Sequence, residues 1–354
     1  MGDTHTLFAA QGATLCSELL SAFAAQGAAL GALLFSPNGD AASALADTGF
    51  PCACVPLQRL DGSDPVGELW RPSGDAIPIR GQHGAIAYCH DGETVFGALS
   101  LAETPVGADK TPLQQAAETA YRQVFSLLDT LGYAHLFRFW NYMAAINTSS
   151  HGSERYRQFN RGRHDAFQAH ARNSAENAPA ACALGCAAGP LSVAFLAGRV
   201  PPLRIENPRQ TSAYRYPQQY GPRSPTFSRA TLARLGTDEV LLLSGTASVV
   251  GHATLHVDDV LAQTRETIAN IGAVVDEANR LARGPGFALS DLHYRVYIRH
   301  ANDLPVVRGE VERQIGGAAK AVYLKADVCR ADLLVEIEAS AAHQAAPNTA
   351  AGKQ

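Results

Sequence analysis

The stretch AVYLKADVCR, residues 321–330, followed by ADLLVEIEA, residues 331–339, reads as two short strands joined by a turn. Side chains alternate between the faces of a strand, so Leu333, Val335, Ile337 and Ala339 form one apolar face while Leu334, Glu336 and Glu338 share the other. Two readings of those carboxylates are open. In one, the strand is half-buried and both acids face water, as in most antiparallel sheets. In the other, Glu336, seven residues after Cys329 and set between apolar neighbours, is a desolvated acid at the floor of a pocket. Burial and the nearby Glu338 would then both hold its proton to higher pH, which suits a proton donor near neutrality.

Working back from this hairpin, EVLLLS (239–244) reads as a strand. A helix capped near Asp258 carries Val260, Leu261, Ile268, Ile271 and Val275, residues 292–299 form a strand, and 303–315 a helix. The same order occurs earlier. TVFGAL (94–99) is a strand, and Thr111-Pro112 opens a helix with Leu113, Ala117, Ala120, Val124, Leu128 and Leu131 at helical spacing, closed by Gly132. A strand over 134–140, the basic helix ERYRQFNRGRHDAF (154–167) and strands near 181–184 and 191–197 complete it. Each half reads strand, helix, strand, helix, strand, strand. A duplicated α+β unit follows, with helices on one face of a mostly antiparallel sheet. Laid over each other, the halves put Ala194 or its neighbour where the second has Glu336, so one site per chain is expected. Residues 1–90 show only weak periodicity. The expected division is 1–200, a degenerate first unit; 201–236, a substrate loop; 237–340, the catalytic unit; and 341–354, a disordered tail.

Composition bounds the function. With 46% apolar and 18% charged residues the chain supports real cores, and a net charge of -4 argues against a nucleic-acid partner. No run has the eighteen or so apolar residues of a membrane helix, and no basic-then-apolar leader opens the sequence. Seven cysteines, an odd number, suit a reducing compartment, so a cytoplasmic protein with no membrane partner is expected. Cys52 and Cys54, like Cys182 and Cys186, lack a second pair at zinc spacing, and His252 and His256 flank β-prone residues; no metal site is expected. The absence of a phosphate loop or dinucleotide fingerprint makes a cofactor-free reaction the default.

Between the halves lies RIENPRQTSAYRYPQQYGPRSPTFSR, residues 204–229, with five arginines and three tyrosines among four prolines. A flexible spacer is rich in Gly and Ser, whereas Pro lowers the entropy of ordering and Arg offers two-pronged hydrogen bonds to carboxylates. A binding element for a small molecule with two negative groups is the expectation. Arg295, Tyr297 and Arg299 share one face of their strand, and Arg155 and Arg163 lie on the basic helix.

At this point the sequence resembles the chorismatases, whose halves are similar to the RidA-like fold. The resemblance runs from about Leu136 to Ala339. It rests on RFWNY (138–142), ERY (154–156), ENPRQ (206–210) with SAYRY (212–216), YGPRSP (220–225), SGTAS (244–248) and the Cys329/Glu336 pair. It implies chorismate as substrate, a cyclohexadiene carrying a ring carboxylate and an enolpyruvyl ether with a second carboxylate. Glu336 matches the acid that protonates the enolpyruvyl methylene. Cysteine at the position of Cys329 marks the branch that forms 3-hydroxybenzoate and pyruvate instead of a dihydrodiol, and one bacterial subgroup also releases 4-hydroxybenzoate. Arg155, Arg209, Tyr214, Arg215, Arg223 and Arg299 are the expected carboxylate ligands, under a roof of tyrosines. Two other functions remain open on the residues: a RidA-like enamine or imine hydrolase, and a ligand-binding module without catalysis. The oligomeric state is left open.

Overall fold

The computed structural model describes residues 5–9, 29–37, 49–62, 65–72, 76–105, 107, 109–172, 178–317 and 319–344. An N-terminal sheet is built from β1 (His5–Ala9), β2 (Gly31–Phe35), β3 (Cys52–Val55) and β5 (Val66–Trp70), in the order β1-β5-β2-β3. The short β4 (Gln58–Arg59) leaves it to pair elsewhere.

The first large unit runs β6 (Ile79–His83), β7 (Ile86–His90), β8 (Thr94–Leu101), α1 (Pro112–Leu131), β9 (His135–Ala144), a small hairpin β10 (Ser149–Ser150) and β11 (Ser153–Glu154), α2 (Arg155–Ala169), β12 (Ala180–Cys186) and β13 (Leu191–Gly198). The second runs β14 (Leu203–Ile205), β15 (Ala230–Leu235), β16 (Asp238–Ala247), a hairpin β17 (Val249–Val250) and β18 (Ala253–Thr254), α3 (Val260–Leu281), β19 (His293–Ile298), α4 (Leu304–Ile315), β20 (Lys320–Lys325), β21 (Asp327–Val328) and β22 (Val335–Gln344). The sheet orders match position for position: β6-β7-β8-β13-β9-β12 in the first and β14-β15-β16-β22-β19-β20 in the second. All pairings within each unit are antiparallel except β9 with β12 and β19 with β20, which a helix joins. The duplication is therefore real, and the fold is α+β with two tandem RidA-like units.

Each unit opens with two strands more than the sequence pattern predicts, β6 and β7 in the first and β14 and β15 in the second. Strand β6 escapes notice because Arg80, Gly81, Gln82 and His83 follow its first residue on an exposed edge. The 201–236 stretch, expected as a loop, contains β14 and β15 around the loop proper. The tail expectation also shifts, since β22 extends to Gln344; residues 345–354 lie outside the described residues.

Helix ends follow their caps. The Thr111 side chain accepts from the Gln114 amide and Gly132 closes α1 in the left-handed region, at φ 73°, while Asp259 caps α3 through the Ala262 amide. Helices α1 and α2 cross so closely that a side chain at Gly162 would meet the Gln114 carbonyl. They bury the outer face of the first sheet, with Leu113, Val124 and Leu128 against Phe139 and Phe195. On the outer face of the second sheet, α3 and α4 bury Ile268, Ile271 and Val311 against Tyr294, Val296 and Ile337. The inner core draws on all three sheets, among them Phe35, Trp70, Trp140, Leu242 and Tyr297.

One departure from the sequence reading places the site. Residues 321–330 are not one strand. The chain leaves the second sheet at Ala326, and β21 adds to the first sheet, with Val328 opposite Leu184. Each large sheet thus gains its seventh strand from outside its own unit, β21 in the first and β4 in the second. The crossing delivers Cys329 to the cleft between the sheets. No helix among the described residues is long and apolar enough to cross a membrane.

Candidate active site

Strand β22 keeps its predicted alternation: Val335, Ile337 and Ala339 enter the outer core, and Glu336 and Glu338 point inward. The water-facing reading fails, because Glu336 is 4% and Glu338 1% exposed. On the equivalent strand β13 the inward positions hold Ala194 and Leu196, members of the same inner core. The second unit alone places an acid there.

Room for the Glu336 carboxyl comes from β16. Its register with β22 shifts between Leu243 and Thr246, so that Ser244 and Gly245 together stand opposite Glu338 as a bulge. Ser244 pins the bulge: its hydroxyl donates to the Ser228 carbonyl at 2.6 Å and accepts from the Ala181 amide at 2.8 Å. A methyl group at Gly245 would overlap Oε1 of Glu336 and sit against the Cβ of Cys182. The SGTAS segment is therefore the mould of the acid.

Glu336 forms the floor of a cavity of about 310 Å³, within the range of small-molecule sites. Its walls are the turn from Cys329 to Leu333 and the start of α2; Tyr216 and Tyr220 come from the loop between the units. A smaller recess of about 30 Å³ lies deeper, between Tyr156, Arg163, Cys182, Phe227, Cys329 and Glu336. Burial raises Glu336 to about 8 against the pull of Arg138 and Arg229, so it carries its proton at neutral pH. Glu338 does not take part in that shift as expected, because its carboxylate is engaged by Arg138, by the Tyr297 hydroxyl and by Arg295 at 2.9 Å. Burial pushes the Cys329 thiol up to about 12, with Glu336 adding to the effect. Cys329 therefore meets a ligand as a neutral thiol and not as a thiolate nucleophile.

The predicted carboxylate ligands are placed differently from expectation. Cys329 and Glu336 come together in the cavity, but none of the six other candidates lines it. Arg155 is turned back to Glu103, at 2.6 Å, and to the Ala144 carbonyl. Arg209 holds Glu266 at 2.6 Å and Asn270 at 2.8 Å. Arg299 binds Asp327 and Asn147 and the carbonyls of Val328, Arg330 and Leu333, bracing the turn from behind. The 3-10 turn Ala213–Arg215 leaves Arg215 exposed with Tyr214 beside it, and Arg223 is exposed further along the loop.

Arg157, Arg229 and Arg330 line the cavity instead. Arg330 packs 4.0 Å from the Tyr220 ring centre and 5.1 Å from that of Tyr216, and donates to the His252 carbonyl. Arg229 donates to the Tyr216 hydroxyl and the Thr211 carbonyl, yet its Nε is buried without a hydrogen-bond partner. Nη2 of Arg163, at the deeper recess, is in the same condition. Sequence offered one signal for these: Arg330 adjoins Cys329, and Arg229 ends the Arg/Tyr loop. Nothing local separates them from arginines that meet acids distant in sequence.

A pair of RidA-like units in which one buried glutamate meets an arginine-lined cavity sized for a small molecule defines the class of this protein. Residues 68–197 match a family model described as chorismatase FkbO/Hyg5-like, N-terminal. The chain is 40% identical to a 3-hydroxybenzoate synthase of Streptomyces hygroscopicus over 78% of its own length and 81% of the relative's. It is 39% identical to a chorismatase of Streptomyces rapamycinicus, over 77% and 80% respectively. A chorismatase crystal structure superposes with a TM-score of 0.74 at 30% identity, covering 89% of this chain and 93% of that one. The chain belongs to the chorismatase family.

Proposed function

We propose that this enzyme converts chorismate to 3-hydroxybenzoate and pyruvate, with Glu336 as the general acid and Cys329 steering the product. The observation that carries the reading is a carboxylic acid kept protonated by burial at the floor of a cavity whose walls hold partnerless guanidinium nitrogens. Glu336 gives its proton to the enolpyruvyl methylene, and the ether carbon becomes an oxocarbenium ion. The neighbouring ring hydroxyl oxygen then attacks the carbon bearing the ether. That C–O bond breaks, its electron pair leaves with pyruvate, and the resulting arene-oxide-like ring opens and loses a proton to become the phenol. Chorismic acid divides into hydroxybenzoic acid and pyruvic acid without gain or loss of atoms, so this route needs no water, whereas the dihydrodiol route takes up one. A neutral Cys329 thiol beside Glu336 fits a role in shaping that choice and excluding water from the ether carbon.

Arg229 and Arg330 hold one carboxylate at the mouth, and Arg163 holds the other at the deeper end. Tyr216 and Tyr220 fix the outer arginines by stacking, which lowers the entropy lost on binding.

The test is product analysis of the purified protein with chorismate and no added cofactor. Pyruvate with mainly 3-hydroxybenzoate is expected, and a 4-hydroxybenzoate fraction would add the dual-product branch. Glu336→Gln should lose about a thousandfold in turnover while chorismate binding stays within about tenfold. Cys329→Ala should move product toward the dihydrodiol; an unchanged ratio would reduce the cysteine to packing. No consumption of chorismate would overturn the reading.

A further inference from the structure

Behind Glu336, on the side away from the cavity, lies a second layer of charge. The Glu338 carboxylate is bonded to Arg138 of β9 and to Arg295 of β19, the latter at 2.9 Å. Arg295 also reaches Glu68 on β5 at 2.6 Å. All four side chains are at most 7% exposed. Two guanidinium groups thus face two carboxylates, one of each pair delivered by a different sheet, and these four formal charges sum to zero. Arg295 lies over Phe35 and Trp140, and Arg138 over Trp140, so aromatic faces seal the cluster from water.

We propose that Glu68 is a positioning residue of the reaction: its carboxylate, supplied by the N-terminal sheet, completes a neutral buried cluster that keeps Glu336 in its acid form. This rests on Glu336 as the proton donor. The charged and titratable groups packed near Glu336 are Arg138 from β9, Arg229 from the loop before β15, Cys182 from β12, Cys329 from the turn, Tyr156 and Arg163 from α2, and Tyr297 opposite it on β19. Around the cavity it shares stand Glu154, Arg157, Arg330 and Asp332, two acids and two cations. Of the groups packed near it, three are cations. The Arg138 charge is balanced by Glu338 only as long as Glu68 balances Arg295. Without Glu68, Glu338 is shared between two unmatched arginines and the cluster turns positive two strand positions from the acid. A positive charge there favours the carboxylate and takes away the proton the reaction uses. Two strand residues plus a guanidinium amount to about 10 Å, and one unit charge at that range shifts a buried acid by about one pH unit.

The experiment is the pH profile of kcat on chorismate for the wild type, Glu68→Gln, Glu68→Asp, Arg295→Met and the double variant Glu68→Gln/Arg295→Met, each checked for fold by circular dichroism. Glu68→Gln is expected to move the alkaline fall in kcat down by about one pH unit, so that turnover at pH 8 drops more than turnover at pH 6. Glu68→Asp should restore the wild-type position. Arg295→Met leaves the cluster negative and should move the fall upward, which carries the test should Glu68→Gln not fold. The double variant is neutral again and should return it. A residue with a merely structural part would lower Tm and kcat and leave the fall where it is; that outcome overturns the proposal. A wild-type profile with no alkaline fall removes the proton-donor reading itself, whereas a wild-type fall that no variant moves removes only the role of Glu68.

Discussion

At the scale of single residues, the buried acid at 336 makes stability depend on pH. An unfolded glutamate ionises near its ordinary value of 4.5, while the folded one holds its proton to about 8. Between those values the folded chain binds one more proton than the unfolded chain, so the contribution of Glu336 to stability falls as pH rises, at roughly 1.4 kcal/mol per pH unit. Glu336→Gln removes this slope. Denaturant unfolding at pH 5, 6.5 and 8 should show the variant gaining on the wild type as pH increases, and a constant difference would mean that Glu336 is ionised in the fold. Gly245 offers the complementary test. Alanine there leaves the strand intact but drives the carboxyl of Glu336 from its seat. Turnover should drop about tenfold or more with Tm within a few degrees, because only the end of one side chain has to move. Full activity in Gly245→Ala would mean that the acid acts from another rotamer.

At the scale of elements, the turn from Cys329 to Leu334 is where sequence and structure differ most. The alternation that sets Glu336 on the face opposite Val335 and Ile337 was legible, because a period of two needs only neighbouring residues; that this face is the buried one was not, since what covers it comes from other sheets. The helices were legible for the same reason: caps at Thr111 and Asp259 are local chemistry. The change of sheet at Ala326 was not, since it depends on a partner strand 144 residues earlier, Val328 opposite Leu184. The same limit explains the arginines. Guanidinium groups suit anions in general, but Arg155, Arg209 and Arg299 find acids of this chain, whereas Arg229 and Arg330 pack against aromatic rings in the cavity wall. Arg299 makes the distinction measurable. Its bonds to three turn carbonyls and to Asp327 and Asn147 predict that Arg299→Met destabilises the fold by about 2–4 kcal/mol. Both kcat and Tm should fall together. A rise in KM at unchanged Tm would instead return Arg299 to the list of carboxylate ligands.

At the scale of the whole molecule, the exchange of edge strands makes the units interdependent. The first unit's sheet ends on β21 of the second, the second's ends on β4 of the N-terminal segment, and the inner core takes side chains from all three sheets. Glu68 and Arg295 tie the N-terminal sheet to the second unit by a buried ion pair, and breaking such a pair strands a charge in the core. One cooperative unfolding unit is the expected consequence, despite a length at which chains often divide. The chain carries its own reporters, because its two tryptophans face each other across the junction of the N-terminal sheet and the first unit, with ring centres 5.8 Å apart. Trp140 also stacks near Arg138, the arginine beside the acid. In urea, tryptophan fluorescence, far-ultraviolet circular dichroism and chorismate turnover should therefore be lost at one midpoint. A fluorescence change at lower urea with the dichroism intact would mean that the N-terminal sheet undocks alone. Turnover surviving that step would show that the active site does not need it, and the ion-paired layer behind Glu336 would then have no part in the chemistry.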